Sequence, residues 1–381
     1  MLQIKHLLKP FFFTLLSFSC LFSYAQENKS SIISTLRLEA RAEFEYHHDS
    51  LMGSGETFSN SQYGFYGKYF NLHMGGTISP KLSYYYRQRI VANPGKTSFF
   101  DNTDFLYLDY KISDRWTLRG GKDAMAVGGF EYDHPPIDVL YNSYYWGVFY
   151  CFQIGASATY RSEDGNQSVI LQVTNSPYVY SGSPFSENSL LSYNILWSGK
   201  FNHFRTIYSF NMMERDRGYF MSYLALGNKL VFDKWDFYLD LIHHGITTDQ
   251  LTKNWSIISC ANIYINNDFN LFVKGGYEQN LDKNEIAHYQ QTGELWDCLA
   301  RPGQQYGFYG IGFEFRPDIG HDMRIHAYVA DFVSRQNALD ASDNLHASDA
   351  CHHINVNVGL TWNMDILKYI RRHYKLADIN N

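Results

Sequence analysis

Apolar and polar residues alternate along many stretches of the chain. Between residues 36 and 47, apolar residues hold the even positions and ionisable residues hold the odd positions. The same period of two recurs at 148–160 and, near the C-terminus, at 354–364. Successive side chains of a β-strand point to opposite faces, so the pattern predicts strands with one apolar and one polar face.

Followed along the chain, the alternation and the turn residues between its runs predict sixteen strands. These strands span residues 35–48, 64–78, 81–92, 103–113, 116–127, 144–162, 167–175, 190–200, 204–214, 219–232, 235–246, 255–266, 269–281, 304–316, 323–334 and 352–364. Every second connection is short and rich in turn residues, as at 79–81 and 201–203. Most of the others are long, as at 128–143, 176–189 and 282–303.

An alternation of short and long connections along the chain is typical of outer-membrane barrels, which have tight periplasmic turns and long external loops. The predicted fold class is therefore all-β, a single transmembrane antiparallel barrel of about sixteen strands, with both termini in the periplasm. The apolar face then contacts outer-membrane lipid and the polar face lines a lumen. Sixteen strands leave an aqueous channel rather than a filled core. Alternation also fits a half-buried sheet in a soluble protein, which is the alternative.

The two ends of the chain differ from the middle. Residues 1–25 combine a basic start, an apolar run and a small-residue cleavage site, which predicts a secretory signal peptide. An uncleaved anchor is the alternative. The barrel is expected over 26–364, and a basic periplasmic tail over 365–381, as a short amphipathic helix or as disordered chain.

The third long connection, 128–143, is expected to fold into the lumen and narrow it. It opens with two glycines, carries two prolines and holds aromatic and aliphatic residues that are unusual in a solvated loop. An external lid is the alternative. The residues expected at the constriction are Glu131, Tyr132, Asp133, His134 and Asp138. The basic residues expected on the pore wall are Arg37, Arg41, Arg87, Arg89, Lys111, Arg119 and Lys274.

The same region resembles a known family. Gly120-Gly121-Lys122, then residues 128–133 and Pro136-Ile137-Asp138-Val139, is similar to the third-loop region of the phosphate-selective porins of the O and P type. The resemblance implies a sixteen-stranded outer-membrane barrel, usually a homotrimer, whose third loop forms the constriction. It also implies phosphate selectivity through a ladder of Arg and Lys. The predicted function is therefore passive diffusion of small hydrophilic solutes or ions.

The charged residues of the third loop bear on which solute the pore would favour. The third loop has three acids and no Lys or Arg, which does not favour phosphate, because acidic rings favour cations and basic rings favour anions. Any single wall charge is also explained by ordinary ion pairing within the wall. The whole chain has a net charge of −6, so an exported protein of this kind is a poor partner for nucleic acid.

Composition and motifs exclude other classes. With 45% hydrophobic and 17% aromatic residues the chain is not disordered, and a mean hydropathy of −0.34 does not suit a bundle of membrane helices. No GxSxG, Walker or dinucleotide motif occurs, so neither an enzyme nor a cofactor is predicted. An outer-membrane hydrolase or a closed structural or adhesive barrel remains the alternative.

Histidine and cysteine give weaker signals. The histidines and cysteine of 346–353 match no closed zinc site, so no metal is predicted. Cys298 and Cys351 lie on the last two long loops, where a disulfide and free thiols are both possible in an exported protein.

Overall fold

Sixteen antiparallel strands close into one barrel, as predicted from the alternation. The structure, a computed structural model, describes residues 31–52, 59–90, 99–148, 151–178, 190–245, 252–293, 301–317 and 322–374. Each barrel strand pairs with its neighbour in sequence, and the first strand pairs with the last over Arg37 to Met52, which closes the barrel. The expected signal peptide and Cys298 lie outside the described residues.

The barrel strands are β1 Thr35–Met52, β2 Ser59–Ser79, β3 Leu82–Arg89, β4 Thr103–Lys111, β5 Trp116–Ala124, β6 Phe152–Arg161, β7 Gln167–Asn175, β8 Leu191–Phe201, β9 Phe204–Asp216, β10 Tyr219–Val231, β11 Trp235–Gly245, β12 Asn254–Tyr264, β13 Phe269–Asn280, β14 Gln304–Phe315, β15 Asp322–Leu339 and β17 Ala350–Asp365. The short β16, Leu345–Ala347, pairs with the end of β15. The helices are α1 Phe130–Asp133, α2 Tyr144–Val148, α3 Lys283–Thr292 and α4 Ile366–Tyr374. Helix α4 occupies the start of the basic tail.

The two faces of each strand meet different surroundings. On β4 the large apolar residues Leu106, Leu108 and Tyr110 are 41–50% exposed and point outward at every second position. On β1 the intervening positions Glu39 and Arg41 point inward and are buried. An apolar outer face suits lipid, and the inner face can carry charge because it is covered by protein and water. No helix in the described part of the chain is long and apolar enough to cross a membrane.

The largest departure from the predicted strands lies at the start of β6. The expected strand 144–162 begins only at Phe152, because Tyr144–Val148 forms helix α2 inside the barrel. The first two amides of α2 are bound by a carboxylate of the opposite wall, and Tyr145 is 1% exposed. The aromatic residues at 144–146 therefore lie inside the barrel and not at a strand end. Trp235 and Trp362, by contrast, are 40% and 38% exposed on the outer surface.

A matched pair of substitutions on β7 tests which face meets lipid. Leu171, at the centre of the strand, is 51% exposed on the outer surface, whereas its neighbour Ile170 lines the lumen. Leu171→Arg should destabilise the folded barrel by about 2–4 kcal/mol, the cost of Arg near the bilayer midplane, and Ile170→Arg should cost much less. Urea titration of folding into lipid vesicles measures both, and equal costs would contradict the assignment of faces.

Candidate functional site

The connection between β5 and β6 crosses the interior of the barrel, and wall carboxylates bind its amides. The two oxygens of Asp240 on β11 each accept one hydrogen bond, at 2.8 Å, from the first two amides of α1. Glu278 on β13 accepts from the first two amides of α2, at 2.5 and 2.9 Å. The first amides of a helix lack partners within the helix, so these carboxylates supply the missing acceptors.

Wall bases bind the carbonyls of the same connection. Arg41 on β1 donates to three loop carbonyls between Ile137 and Leu140, at 3.0–3.3 Å. Arg324 on β15 also donates to the carbonyl of Ile137, at 2.9 Å. Lys274 on β13 donates to the carbonyl of Tyr141, at 2.6 Å. Cationic side chains of the wall thus donate hydrogen bonds to the loop carbonyls, and these side chains come from several strands.

The glycines at the start of the loop allow it to approach the wall. A Cβ at Gly128 would lie 2.9 Å from the amide nitrogen of Ser209, which is too close for any side chain. Gly129 has a φ of 102°, a conformation that other residues rarely adopt. Both glycines are therefore required for the close contact with β9 and β11.

A buried ion pair completes the attachment. The Lys274 ammonium lies 2.6 Å from a carboxylate oxygen of Glu131, which is 1% exposed. The Ser143 amide donates to the same oxygen at 2.9 Å, and the Ser143 hydroxyl donates to the other. Glu131 therefore joins the two ends of the loop to each other and to β13.

The loop separates two cavities. The inner cavity, about 1020 Å³, lies toward the short turns, and the outer cavity, about 580 Å³, lies toward the long loops. Gly147 of α2 lines both. On β2, Lys68 lines the outer cavity and the next residue, Tyr69, lines the inner one. The boundary between the cavities thus runs from residues 68–69 of the wall to Gly147 of the loop.

All the predicted site residues except Lys111 fall into two groups. One group lines the inner cavity: Arg37, Arg87, Arg89, Arg119, Tyr132, Asp133, His134 and Asp138. The other group, Arg41, Lys274 and Glu131, is buried beneath the loop and lines neither cavity. Glu131 is expected at the constriction, and in the structure both of its oxygens are occupied by the attachment of the loop.

Most cavity-lining charges are paired within the wall. The guanidinium groups of Arg87 and Arg89 both lie 2.9 Å from the carboxylate of Asp104. The Arg119 guanidinium lies 2.7 Å from Asp109 and 2.7 Å from Asp123. These pairs leave little net charge facing the water on this part of the wall.

The paired charges extend to Arg37, to the loop and to the short turns. Arg37 lies 3.0 Å from Glu39, and Asp138 of the loop lies 2.9 Å from Arg324. Lys111 lies near the short turns, on a smaller cavity of about 300 Å³. Its ammonium is 2.8 Å from the turn residue Asp114, and this hydrogen bond and charge hold the pKa of Asp114 below its usual value. Lys111 is therefore also neutralised locally.

Three basic residues that the sequence analysis missed lack such partners. Arg161, Lys200 and Arg205 line the inner cavity near the short turns, and no ion pair holds them among the described residues. Lys200 and Arg205 lie directly opposite each other on β8 and β9. Like charges in this arrangement destabilise a sheet. Lys200 and Arg205 flank the turn 201–203 and hold inward-facing positions in the alternation of their strands. This pattern in the sequence could have predicted them as pore-wall residues.

The comparisons with known proteins agree with this geometry. Residues 41–192, less than half of the chain, match the sequence model of the family described as phosphate-selective porin O and P. The resemblance stated from the third-loop residues is confirmed over this matched segment. No curated protein sequence matches the chain.

Solved structures share the fold of the chain across most of its length. The outer-membrane channel DcaP of Acinetobacter baumannii superposes with a TM-score of 0.54 at 8% identity, covering 86% of this chain and 96% of that one. In-vitro folded OmpT, an outer-membrane protein of Vibrio cholerae, superposes with a TM-score of 0.55 at 10% identity, covering 88% of this chain and 98% of that one. Both neighbours are proteins of the outer membrane, and the shared fold agrees with the closed barrel described above.

Removing Lys274 tests the attachment of the loop. Lys274→Met leaves the buried Glu131 carboxylate without its cation, which should destabilise the protein by about 3–5 kcal/mol. The double variant Lys274→Met/Glu131→Gln should recover most of that loss, because the amide keeps hydrogen bonds to Ser143 without a charge. Urea unfolding in lipid measures all variants.

Lys111→Met is the matched control, because the Lys111–Asp114 pair is solvent-exposed and such pairs contribute little to stability. An equal loss for the single and double variants would show that the ion pair does not attach the loop.

Proposed function

We propose that the protein is a channel for passive diffusion of small hydrophilic solutes and ions, and that its third loop is the constriction. The meeting of two water-accessible cavities at one loop residue, Gly147, supports this proposal. A solute entering from outside passes the outer cavity, then the space between Gly147 and residues 68–69 of β2, then the inner cavity. The selection is steric at this passage and electrostatic along the wall.

The attachment of the loop makes the passage a fixed aperture. Loop amides and carbonyls between residues 128 and 145 are bound by side chains of β1, β9, β11, β13 and β15. Closing or opening the pore by moving this segment would break many buried hydrogen bonds, each costly to leave unmade. A steady conductance with little loop-driven fluctuation is therefore expected.

A bulky residue at Gly147 should narrow the passage. A Cβ there would approach only the amide nitrogen of the Asn142 side chain, at 3.2 Å, so the backbone can accept a side chain. Gly147→Trp should lower the single-channel conductance in a planar bilayer severalfold. Gly120→Trp is the control, because Gly120 faces outward with nothing within 4 Å.

The control variant should conduct as the unchanged protein does. A folded Gly147→Trp barrel with full conductance would overturn the proposed path, and a folded unchanged barrel without conductance would overturn the channel itself. The second outcome would favour a closed structural barrel.

We further propose that the inner cavity favours anions. Seven basic and four acidic side chains line it. Of the three loop acids, Glu131 is matched by Lys274 and Asp138 by Arg324, so Asp133 is the loop acid that faces the inner cavity without an ion pair among the described residues. The unpaired bases near the short turns then dominate the field, which attracts anions. Phosphate as the preferred anion rests on the family resemblance.

The reversal potential in a salt gradient tests the anion preference. The unchanged protein should show the sign of an anion-selective pore, and the triple variant Arg161→Gln/Lys200→Gln/Arg205→Gln should shift it toward cations. Lys234→Gln, which removes a base from a short turn, should leave it unchanged. Block of the chloride current by added phosphate would support phosphate preference, whereas a cation-selective unchanged pore would contradict the assignment of charge.

The homotrimer implied by the resemblance is also a proposal. An apolar depression of about 890 Å³ on the outer surface of β4 to β9 offers a surface that another subunit or lipid can cover.

A further inference from the structure

A β-bulge in β2 turns one lysine into the pore. Arg41 of β1 pairs with Tyr69 and the next residue, Ala42, pairs with Gly67, so Lys68 is an extra residue in the ladder. Counting back by alternation from the inward-facing His73 and Tyr69, a regular strand would point Lys68 at lipid. The bulge instead allows its ammonium to lie on the lumen side. Bulges of this kind are known to re-aim side chains near functional sites.

Lys68 is held more loosely than the ion-paired bases of the lumen, such as Arg87 and Arg119. Its ammonium lies 3.7 Å from Glu43 and 3.7 Å from Glu45, which is longer than a hydrogen bond. Its hydrogen-bond partner is the Tyr66 hydroxyl, at 3.3 Å. The side chain is 34% exposed, and the ammonium lies 5.4 Å from the centre of the Tyr66 ring.

The two carboxylates near Lys68 are already occupied. Glu43 is fully buried, forms an ion pair with Arg41, lies 3.3 Å from His326 and accepts from Tyr66. Glu45 accepts from Asn357 at 2.9 Å and lies 2.7 Å from His47. Arg41 thus balances the charge of Glu43, and Glu45 has two hydrogen-bond partners besides Lys68.

Lys68 lies at the boundary of the two cavities. It lines the outer cavity, Tyr69 lines the inner one, and Gly147 across the gap lines both. A solute that moves between the cavities therefore passes within reach of a flexible four-carbon side chain that carries an exposed cation.

We propose that Lys68 is the charge-selective residue of the constriction, and that its ammonium exchanges its weak contacts for a passing small anion such as chloride, a carboxylate or phosphate. The proposal rests on the proposed channel function. It assigns the charge selectivity of the passage between the two cavities to one residue. It is separate from the bases of the inner cavity, which act nearer the periplasm.

Substitution of Lys68 tests the proposal in planar bilayers under a salt gradient. Lys68→Gln should lower the anion permeability about fivefold and raise the cation permeability by a similar factor, the effect of removing one unit charge about 4 Å from the solute in water. Lys68→Glu should invert the preference, and Lys68→Arg should retain it. Lys111→Gln, a paired base at the short-turn end, is the control and should change the ratio little.

Orientation is tested independently of selectivity. In a background with Cys151, Cys260, Cys298 and Cys351 replaced by Ser, Lys68→Cys should react with a charged thiosulfonate added on the outer side, and the current should change. Phe65→Cys, whose parent side chain is 86% exposed on the outer surface, should leave the current unchanged.

The outcomes separate this proposal from the channel function. Conductance in the unchanged protein with an unaltered permeability ratio in Lys68→Gln and Lys68→Glu would overturn the role of Lys68 and leave the channel in place. Absence of conductance in the unchanged folded protein would overturn both.

Discussion

The backbone amides and carbonyls of a loop inside a barrel need hydrogen-bond partners, and no neighbouring strand provides them. This requirement determines which side chains line the lumen of the protein and what they bind. Buried amides and carbonyls that lack a partner are costly. Here the wall supplies the partners: Asp240 and Glu278 accept from helical amides, and Arg41, Arg324 and Lys274 donate to carbonyls. The loop is thus held by charged side chains from strands around the barrel rather than by a regular ladder.

This use of wall charge changes what the lumen presents to a solute. The wall residues that anchor the loop are not available to a solute, because their donors or acceptors face the loop backbone and not the water. The remaining charges are mostly paired along the wall, as in the shared contact of Arg87 and Arg89 with Asp104. Under the proposed anion preference, the field along the pore comes from the few charges without an ion pair among the described residues, and not from the net charge of the chain.

The outer surface follows a simpler rule. Lipid accepts apolar side chains and cannot hydrogen-bond the backbone, so a closed barrel with alternating faces satisfies both requirements at once. The pairing of β1 with β17 removes the last open edge and brings residues more than 300 positions apart into contact, as in the 2.9 Å hydrogen bond from Asn357 to Glu45. The rigid wall that results is what allows a loop to be positioned against several strands.

The sequence by itself determined the barrel, because the period of two follows from strand geometry and from the difference between lipid and water, both of which act locally. It determined the number of strands and their order around the barrel. It did not determine the role of Arg41, since the carbonyls it binds lie about a hundred residues away on another element. It also mistook α2 for a strand and gave no sign that Glu131 joins the two ends of the loop. Only the tertiary structure decided these points, and the bulge at Lys68 with them, because register and contacts across the lumen depend on how all the strands close together.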